Sequence, residues 1–164
     1  MSVTAAAGFV AAGLHAGIKP SGRPDLALVA TADRRPVPAA AVFTTNLVAA
    51  APVQVSRRHL VGHPSAAAVV LNSGNANAAT GAHGLNVAER TCALVAHGLG
   101  CAADEVLVCS TGLIGIPMDP APFETGVPRL VGSLAGGPAA AAEAAAAIMT
   151  TDTASKEAIA RTTL

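Results

Sequence analysis

Short apolar runs, separated by Pro, Gly and polar residues, dominate the first two-thirds of the chain and predict a series of β-strands. The run Val106, Leu107, Val108 has no polar position, which is typical of a strand covered on both faces. Five segments are predicted as strands: residues 24–33, 39–46, 47–56, 66–72 and 105–111. The first two lie close enough to pair as a hairpin through the sequence RRPVP.

Helical patterns follow in the last part of the chain. Asn86 and Glu89 resemble a capping box, and Gly100 stands where that helix would end. Four apolar residues between them share one helical face: Ala88, Cys92, Val95 and Leu99.

Two further helices are predicted from their starting residues. Asp119 before Pro120 predicts one helix start, and Gly137 before Pro138 predicts another, at the beginning of an alanine-rich segment. No repeat or long linker divides the chain. The pattern therefore predicts a single α/β domain over residues 1–164.

Composition narrows the classes of partner. Apolar residues make up 52% of the 164 residues and aromatic residues only 2%, so the core must be built from small aliphatic side chains. Ten basic and ten acidic residues cancel and form no basic stripe, which argues against nucleic acid as a partner. No apolar stretch has the length and continuity of a membrane span, and the glycine-interrupted N-terminus reads as mature sequence.

The three cysteines, Cys92, Cys101 and Cys109, are an odd number without C-x-x-C spacing. This pattern favours reduced thiols that fill a core, and hence a cytoplasmic protein, over a disulfide framework or a zinc site.

Several motifs for common chemistries are incomplete. His59 and His63 have the spacing of a helical zinc pair, but Leu60 replaces the Glu of a metalloprotease, and Gly62 and Pro64 argue against a helix there. GNANAATG lacks the lysine of a phosphate-binding loop, and no G-x-S-x-G elbow occurs. We therefore predict no metal site.

Two polar clusters follow predicted strands. Asn72, Ser73, Gly74, Asn75 and Asn77 come directly after an apolar run, where local Asx-turn bonding is the simplest interpretation.

The second polar cluster is Ser110, Thr111 and Gly112, which follows the run at 106–108. A hydroxyl and a glycine N–H could converge there on one oxygen atom, as an oxyanion hole requires. Ser-Thr-Gly also forms ordinary turns, so spacing alone leaves both interpretations open.

The order of these motifs closely resembles the ornithine acetyltransferase family, the bifunctional glutamate N-acetyltransferases of arginine biosynthesis. The matching segments cover almost all of residues 8–158: GFVAAGLHAGIKPSGRPDLALV, AAVFTTNLVAAAPV, LNSGNANAATG, VCSTGLIG, PMD and AIMTTDTASKEA. The resemblance implies an αββα-type sandwich and an N-terminal nucleophile enzyme. In that family a precursor cuts itself before a threonine, and the α- and β-chains stay assembled as α2β2.

The resemblance also assigns roles to three residues. Thr111 and Gly112 would form the oxyanion hole, and Thr150 would hydrogen-bond the amino-acid substrate, although Thr150 also fits a polar helix end. Two positions depart from the family: Ala79 stands where many members have Cys, and Ser155 replaces a frequent Pro. Neither departure falls on a residue with an assigned role.

The implied reaction is a double displacement without a metal or cofactor. The β-chain's N-terminal Thr takes the acetyl group from N-acetylornithine and passes it to glutamate, with its own amine (pKa about 7.7 to 8.0) as base. Some members also accept acetyl-CoA as the donor. The nucleophile is expected beyond Leu164, so we expect an α-chain or a truncated product that is inactive alone. The alternative is a non-catalytic α/β interaction or small-ligand-binding module with the same ancestry.

Overall fold

The computed structural model describes residues 3–162, which form six strands and four α-helices. The strands are β1 (Phe9–Leu14), β2 (Leu26–Thr31), β3 (Val37–Pro38), β4 (Ser65–Ala66), β5 (Ala68–Asn75) and β6 (Val106–Leu113). The helices are α1 (Ala51–Gly62), α2 (Gly81–Leu99), α3 (Ala121–Gly132) and α4 (Pro138–Ala147). None of the helices in the described part of the chain is long and apolar enough to cross a membrane.

The main sheet has four strands in the order β1-β2-β5-β6. β2 pairs antiparallel with both β1 and β5, whereas β5 and β6 run parallel. Helix α2 makes the crossover between the parallel strands, as a parallel connection requires. The parallel register starts at Ala68 opposite Val106 and ends at Asn75 opposite Leu113, so both strands end at the same edge.

Helices α1, α2 and α3 cover one face of the sheet. The larger core side chains lie in this layer, and those fully removed from solvent include Leu26, Leu28, Val70, Val95 and Leu130. Burial of these aliphatic side chains supplies the main hydrophobic stabilisation of the fold.

Helix α4 packs on the opposite face, against β1 and β2. The contact is made by alanines, with Ala11 and Ala27 of the sheet facing Ala144 and Ala147 of the helix. Gly13 brings the two backbones closest, because a Cβ at this position would lie 2.2 Å from the carbonyl oxygen of Glu143. Small side chains therefore set the distance between α4 and the sheet.

Three predicted strands, at 24–33, 66–72 and 105–111, are confirmed, although β5 and β6 extend past the predicted ends to Asn75 and Leu113, and two predicted strands are wrong. Residues 39–46 lie outside any strand, and residues 47–56 run into α1. The predicted hairpin is wrong too, because β2 pairs with β1 and β5 instead. Pro52 in the first turn of α1 supplies a φ that suits a helix start, and the buried Pro52, Ser56 and Leu60 follow one another at the helical spacing of four residues.

The helix predictions fare better. The predicted face of α2 is buried and Gly100 ends the helix with φ +78°, but α2 begins at Gly81, before the predicted start near Asn86. Asp119 accepts the N–H of Ala121 at 2.9 Å, which confirms the predicted start of α3. The start of α4 at Pro138 is confirmed as well.

Candidate active site

A cleft of about 770 Å³ opens where β5 and β6 end. Its walls come from three parts of the chain: the β1–β2 loop, the ends of the parallel strands and the segment after α4. Thr111, Gly112 and Thr150 all line it. The structure therefore places the three residues with sequence-assigned roles around one cavity.

The polar residues of this site belong to strands instead of the predicted turns. β6 continues through Ser110, Thr111 and Gly112, and β5 continues through Asn72 to Asn75. The parallel partner supports this extension, because Thr111 lies opposite Ser73 and Gly112 lies opposite Gly74. Strand geometry fixes these positions more firmly than a loop would.

β6 is the outer strand of the sheet that residues 3–162 form, and α1 binds the first part of its outer edge. The Ser56 hydroxyl of α1 donates to the Val108 carbonyl at 2.8 Å and accepts its N–H at 2.9 Å. His59 donates Nδ1–H to the Val106 carbonyl at 2.9 Å. Backbone groups alternate in direction along a regular strand, so Val106 and Val108 present theirs to this edge, whereas Gly112, with φ +136°, departs from regular strand geometry where β6 reaches the cleft.

Gly112 cannot be another residue without moving the strands. Its φ of +136° is disfavoured for side chains, and an added Cβ would lie 2.3 Å from the carbonyl carbon of Gly74. Gly74 is equally constrained, with φ +108° and a Cβ position 2.9 Å from Cγ of Lys19. These two glycines bring β5, β6 and the β1–β2 loop into close contact at the base of the cleft.

The Thr111 side chain lies on the α4 side of the sheet. Its neighbour in register, Ser73, is fully buried and donates its hydroxyl to the Ala147 carbonyl at 2.5 Å, at the end of α4. Residues opposite each other in adjacent strands share a face, so Thr111 points the same way. Thr150 follows α4 on that side of the sheet.

The β1–β2 loop is built around Asp25, which sequence reasoning missed. This carboxylate is fully buried and accepts four backbone N–H groups, from Ala16, Gly17, Ile18 and Lys19, at 2.6, 3.2, 2.7 and 2.8 Å. The only available signal was an acidic residue directly before an apolar strand in a chain with few charges. The carboxylate fixes the loop that forms one wall of the cleft.

The asparagine cluster has the local bonding expected of Asx turns. Asn75 Oδ1 accepts the Asn77 N–H at 2.8 Å, and Asn77 Nδ2 donates to the Gly84 carbonyl at 2.9 Å. Asn72 Nδ2 donates to the Asn75 carbonyl at 2.8 Å. These side chains are buried, and the Asn75–Asn77 bond confirms the Asx-turn interpretation for Asn75.

The surroundings of the three cysteines disfavour the thiolate form. Burial raises the pKa of Cys92 to about 12, and desolvation also raises the pKa of Cys101 and Cys109. Core packing is confirmed for Cys92, but Cys109 is exposed on the α4 side of β6.

The argument against a helix at His59 is wrong, since His59 lies inside α1 and His63 caps its end. Among residues 3–162, no group of three or more His, Cys, Asp or Glu side chains is placed to hold a metal.

The described residues thus define a mixed α/β protein with a cleft at the ends of two parallel strands. Residues 10–164 match the model of the ArgJ family, and the chain belongs to that family. The resemblance drawn from the sequence motifs is confirmed.

Curated relatives carry the name arginine biosynthesis bifunctional protein ArgJ. The protein from Gloeobacter violaceus is 50% identical over 155 residues, covering 94% of this chain and 37% of the relative. The protein from Streptomyces coelicolor is 52% identical over 164 residues, covering 97% of this chain and 40% of the relative. The chain thus spans about two-fifths of the length of these relatives.

Solved structures confirm the predicted α/β fold of the family. The ArgJ protein from Bacillus halodurans superimposes with a TM-score of 0.87 at 36% identity, covering 94% of this chain and 78% of that one. Ornithine acetyltransferase from Mycobacterium tuberculosis, solved in complex with ornithine, gives 0.88 at 46% identity, with coverage of 93% and 81%.

Proposed function

We propose that this chain carries part of the active site of an acetyltransferase of arginine biosynthesis. The enzyme moves an acetyl group from N-acetylornithine to glutamate, with acetyl-CoA as a possible second donor. The observation that carries this proposal is the meeting of Thr111, Gly112 and Thr150 at one cleft, although they come from separate parts of the chain. The names of the ArgJ relatives support it.

The chemistry assigned to β6 is stabilisation of negative charge. When a nucleophile attacks the acetyl carbonyl, the oxygen becomes an oxyanion that the Thr111 hydroxyl and the Gly112 N–H would bind. Such a donor, held in place by the fold, is worth about 100-fold to 1000-fold in kcat. Thr150, on the wall formed by the segment after α4, would hydrogen-bond the amino-acid part of the substrate.

The remaining machinery is assigned to a β-chain from the same precursor. Its N-terminal threonine would attack the acetyl carbonyl, and ornithine would leave with the proton that the terminal amine had accepted. The amine of glutamate would then attack the acetyl-enzyme and regenerate the threonine. In this proposal residues 1–164 form one domain of a cytoplasmic α2β2 assembly without a metal or cofactor, and the β-chain supplies the second sheet of an αββα sandwich.

The test begins with the coding DNA beyond Leu164, which we expect to encode a lysine-glycine run and then an Ala-Thr junction. The complete gene product should cleave itself into two chains and release at most one equivalent of ornithine per active site without glutamate, with continued release only when glutamate is present. The 164-residue chain alone should release none. A complete product that neither cleaves nor releases ornithine would leave the non-catalytic module as the function, and turnover by the homogeneous chain alone would contradict the assigned nucleophile.

A further inference from the structure

The ammonium group of Lys19 joins two walls of the cleft. Its Nζ donates to the Met149 carbonyl at 2.5 Å and to the Pro24 carbonyl at 2.8 Å. Pro24 closes the β1–β2 loop, and Met149 directly precedes Thr150. One side chain therefore ties the loop to the residue next to the proposed substrate contact.

The lysine is itself held firmly. Its backbone N–H donates to the buried Asp25 carboxylate at 2.8 Å, and its Cγ lies beside the backbone of Gly74. Burial lowers the pKa of Lys19, against the opposing attraction of Asp25. A partly desolvated ammonium makes stronger hydrogen bonds to carbonyl oxygens than an exposed one, so the two contacts restrain both walls.

The end of α4 needs such restraint. The last carbonyl groups of a helix have no partner within the helix, and the chain after Ala147 is irregular. The Ser73 hydroxyl binds the Ala147 carbonyl, and Lys19 binds the Met149 carbonyl. A cation at this end also opposes the negative end of the helix dipole.

We infer that Lys19 is a positioning residue, which sets Thr150 at the distance from Thr111 and Gly112 that the substrate requires. This inference rests on the proposed function. It predicts that Lys19 acts on substrate through Thr150, so loss of either residue removes the same interaction.

The experiment is a double-mutant cycle in the complete enzyme with the ornithine-release assay. Lys19→Met keeps the length of the side chain but removes its donors, and should lower kcat/KM about 10-fold or more. Thr150→Val should have a similar effect, and Lys19→Met should add less than about threefold to it. Lys19→Arg, which retains donors, should recover part of the loss. Arg90→Met is the control, because that arginine is exposed and pairs with Glu124 of α3, outside the cleft.

If the losses in kcat/KM from Lys19→Met and Thr150→Val multiply in the double variant, the inference is overturned. Wild-type kinetics for Lys19→Met would also overturn it. If Lys19→Met does not fold, Lys19→Leu, which also lacks donors, carries the same cycle with the same expected result.

Hydrogen exchange separates this inference from the proposed function. In Lys19→Met, amides of residues 149–152 should exchange at least about 10-fold faster, with no such change in Arg90→Met. Unchanged exchange would overturn the positioning role whether or not the wild-type protein releases ornithine.

Discussion

The two faces of the central sheet are built from side chains of very different size. Helices α1 to α3 pack on one face through Leu, Val and Phe side chains, including Leu28, Val95, Phe123 and Leu130. Helix α4 packs on the other through alanines and the bare backbone at Gly13. Larger side chains bury more apolar area, so the three-helix face contributes more of the stability.

The alanine contact fixes the position of α4 on the sheet but buries little apolar area. Without long side chains between them, α4 and the sheet meet nearly backbone to backbone, and the helix has little freedom to shift. Thr150 follows the end of this helix, while Thr111 lies in the sheet. We therefore expect a change in the Gly13 contact to alter the width of the cleft between these two threonines.

The largest expected loss of stability is on the three-helix face. Leu130→Ala removes a fully buried side chain and should lower the free energy of unfolding by about 2 to 5 kcal/mol. Urea unfolding of the complete protein measures this loss. Hydrogen exchange of residues 149–152 in the native state should stay close to wild type, since α4 packs on the other face. Faster exchange confined to residues 149–152 in Leu130→Ala would contradict the claim that the two faces of the sheet act separately.

On the alanine face, Gly13→Ala should cost less stability but act directly on the cleft. The added methyl would lie 2.2 Å from the Glu143 carbonyl oxygen, so α4 must move, at a cost of about 1 to 3 kcal/mol. Exchange of residues 149–152 should accelerate. The matched control is Gly132→Ala, at which an added Cβ meets nothing within 4 Å. Equal effects of the two alanine substitutions would show that the close approach at Gly13 does not position α4.

The smallest expected effect is a difference in alkylation rate between two thiols on opposite sides of the sheet, Cys92 and Cys109. Cys92, with a pKa of about 12, should be about one part in ten thousand thiolate at pH 8 and should resist iodoacetamide until the protein unfolds. Cys109 is exposed on the α4 side and should be alkylated in the native state faster than Cys92, although desolvation raises its pKa too. Mass spectrometry of the labelled peptides distinguishes the two sites, and native labelling of Cys92 at the rate of Cys109 would contradict the packing of the three-helix face.

Sequence patterns predicted the elements whose local signals agree with their tertiary setting. The strands at 26–31, 68–75 and 106–113 are short apolar runs with clear boundaries, and Gly100 and Pro138 mark helix ends directly. The first turns of α1 were mistaken for a strand because Val53 and Val55 favour strands, while the helical period emerges only from the later residues.

The residues of the candidate site also divide into those that the sequence could assign and those that it could not. Its motif residues, Thr111, Gly112 and Thr150, could be assigned from the resemblance, and the structure brings them to one cleft. Lys19 and Asp25 could not be assigned, because their partners are backbone groups that only the folded chain brings near. The Lys19 contact with Met149 links the two ends of the described chain and has no local signature.

Kinetics of Thr111→Val in the complete enzyme test the central claim most directly, that β6 supplies the oxyanion hole. The substitution keeps the shape of an exposed side chain and removes its hydroxyl. Gly112→Pro is a poorer test, since proline cannot adopt the φ of +136°.

We expect kcat for ornithine release to fall about 100-fold with KM nearly unchanged, because the hydroxyl acts on charge that exists only in the transition state. Thr111→Ser should retain most of the rate, and Thr151→Val, on the same cleft, should stay near wild type. A Thr111→Val enzyme with kcat within about threefold of wild type would contradict the assignment.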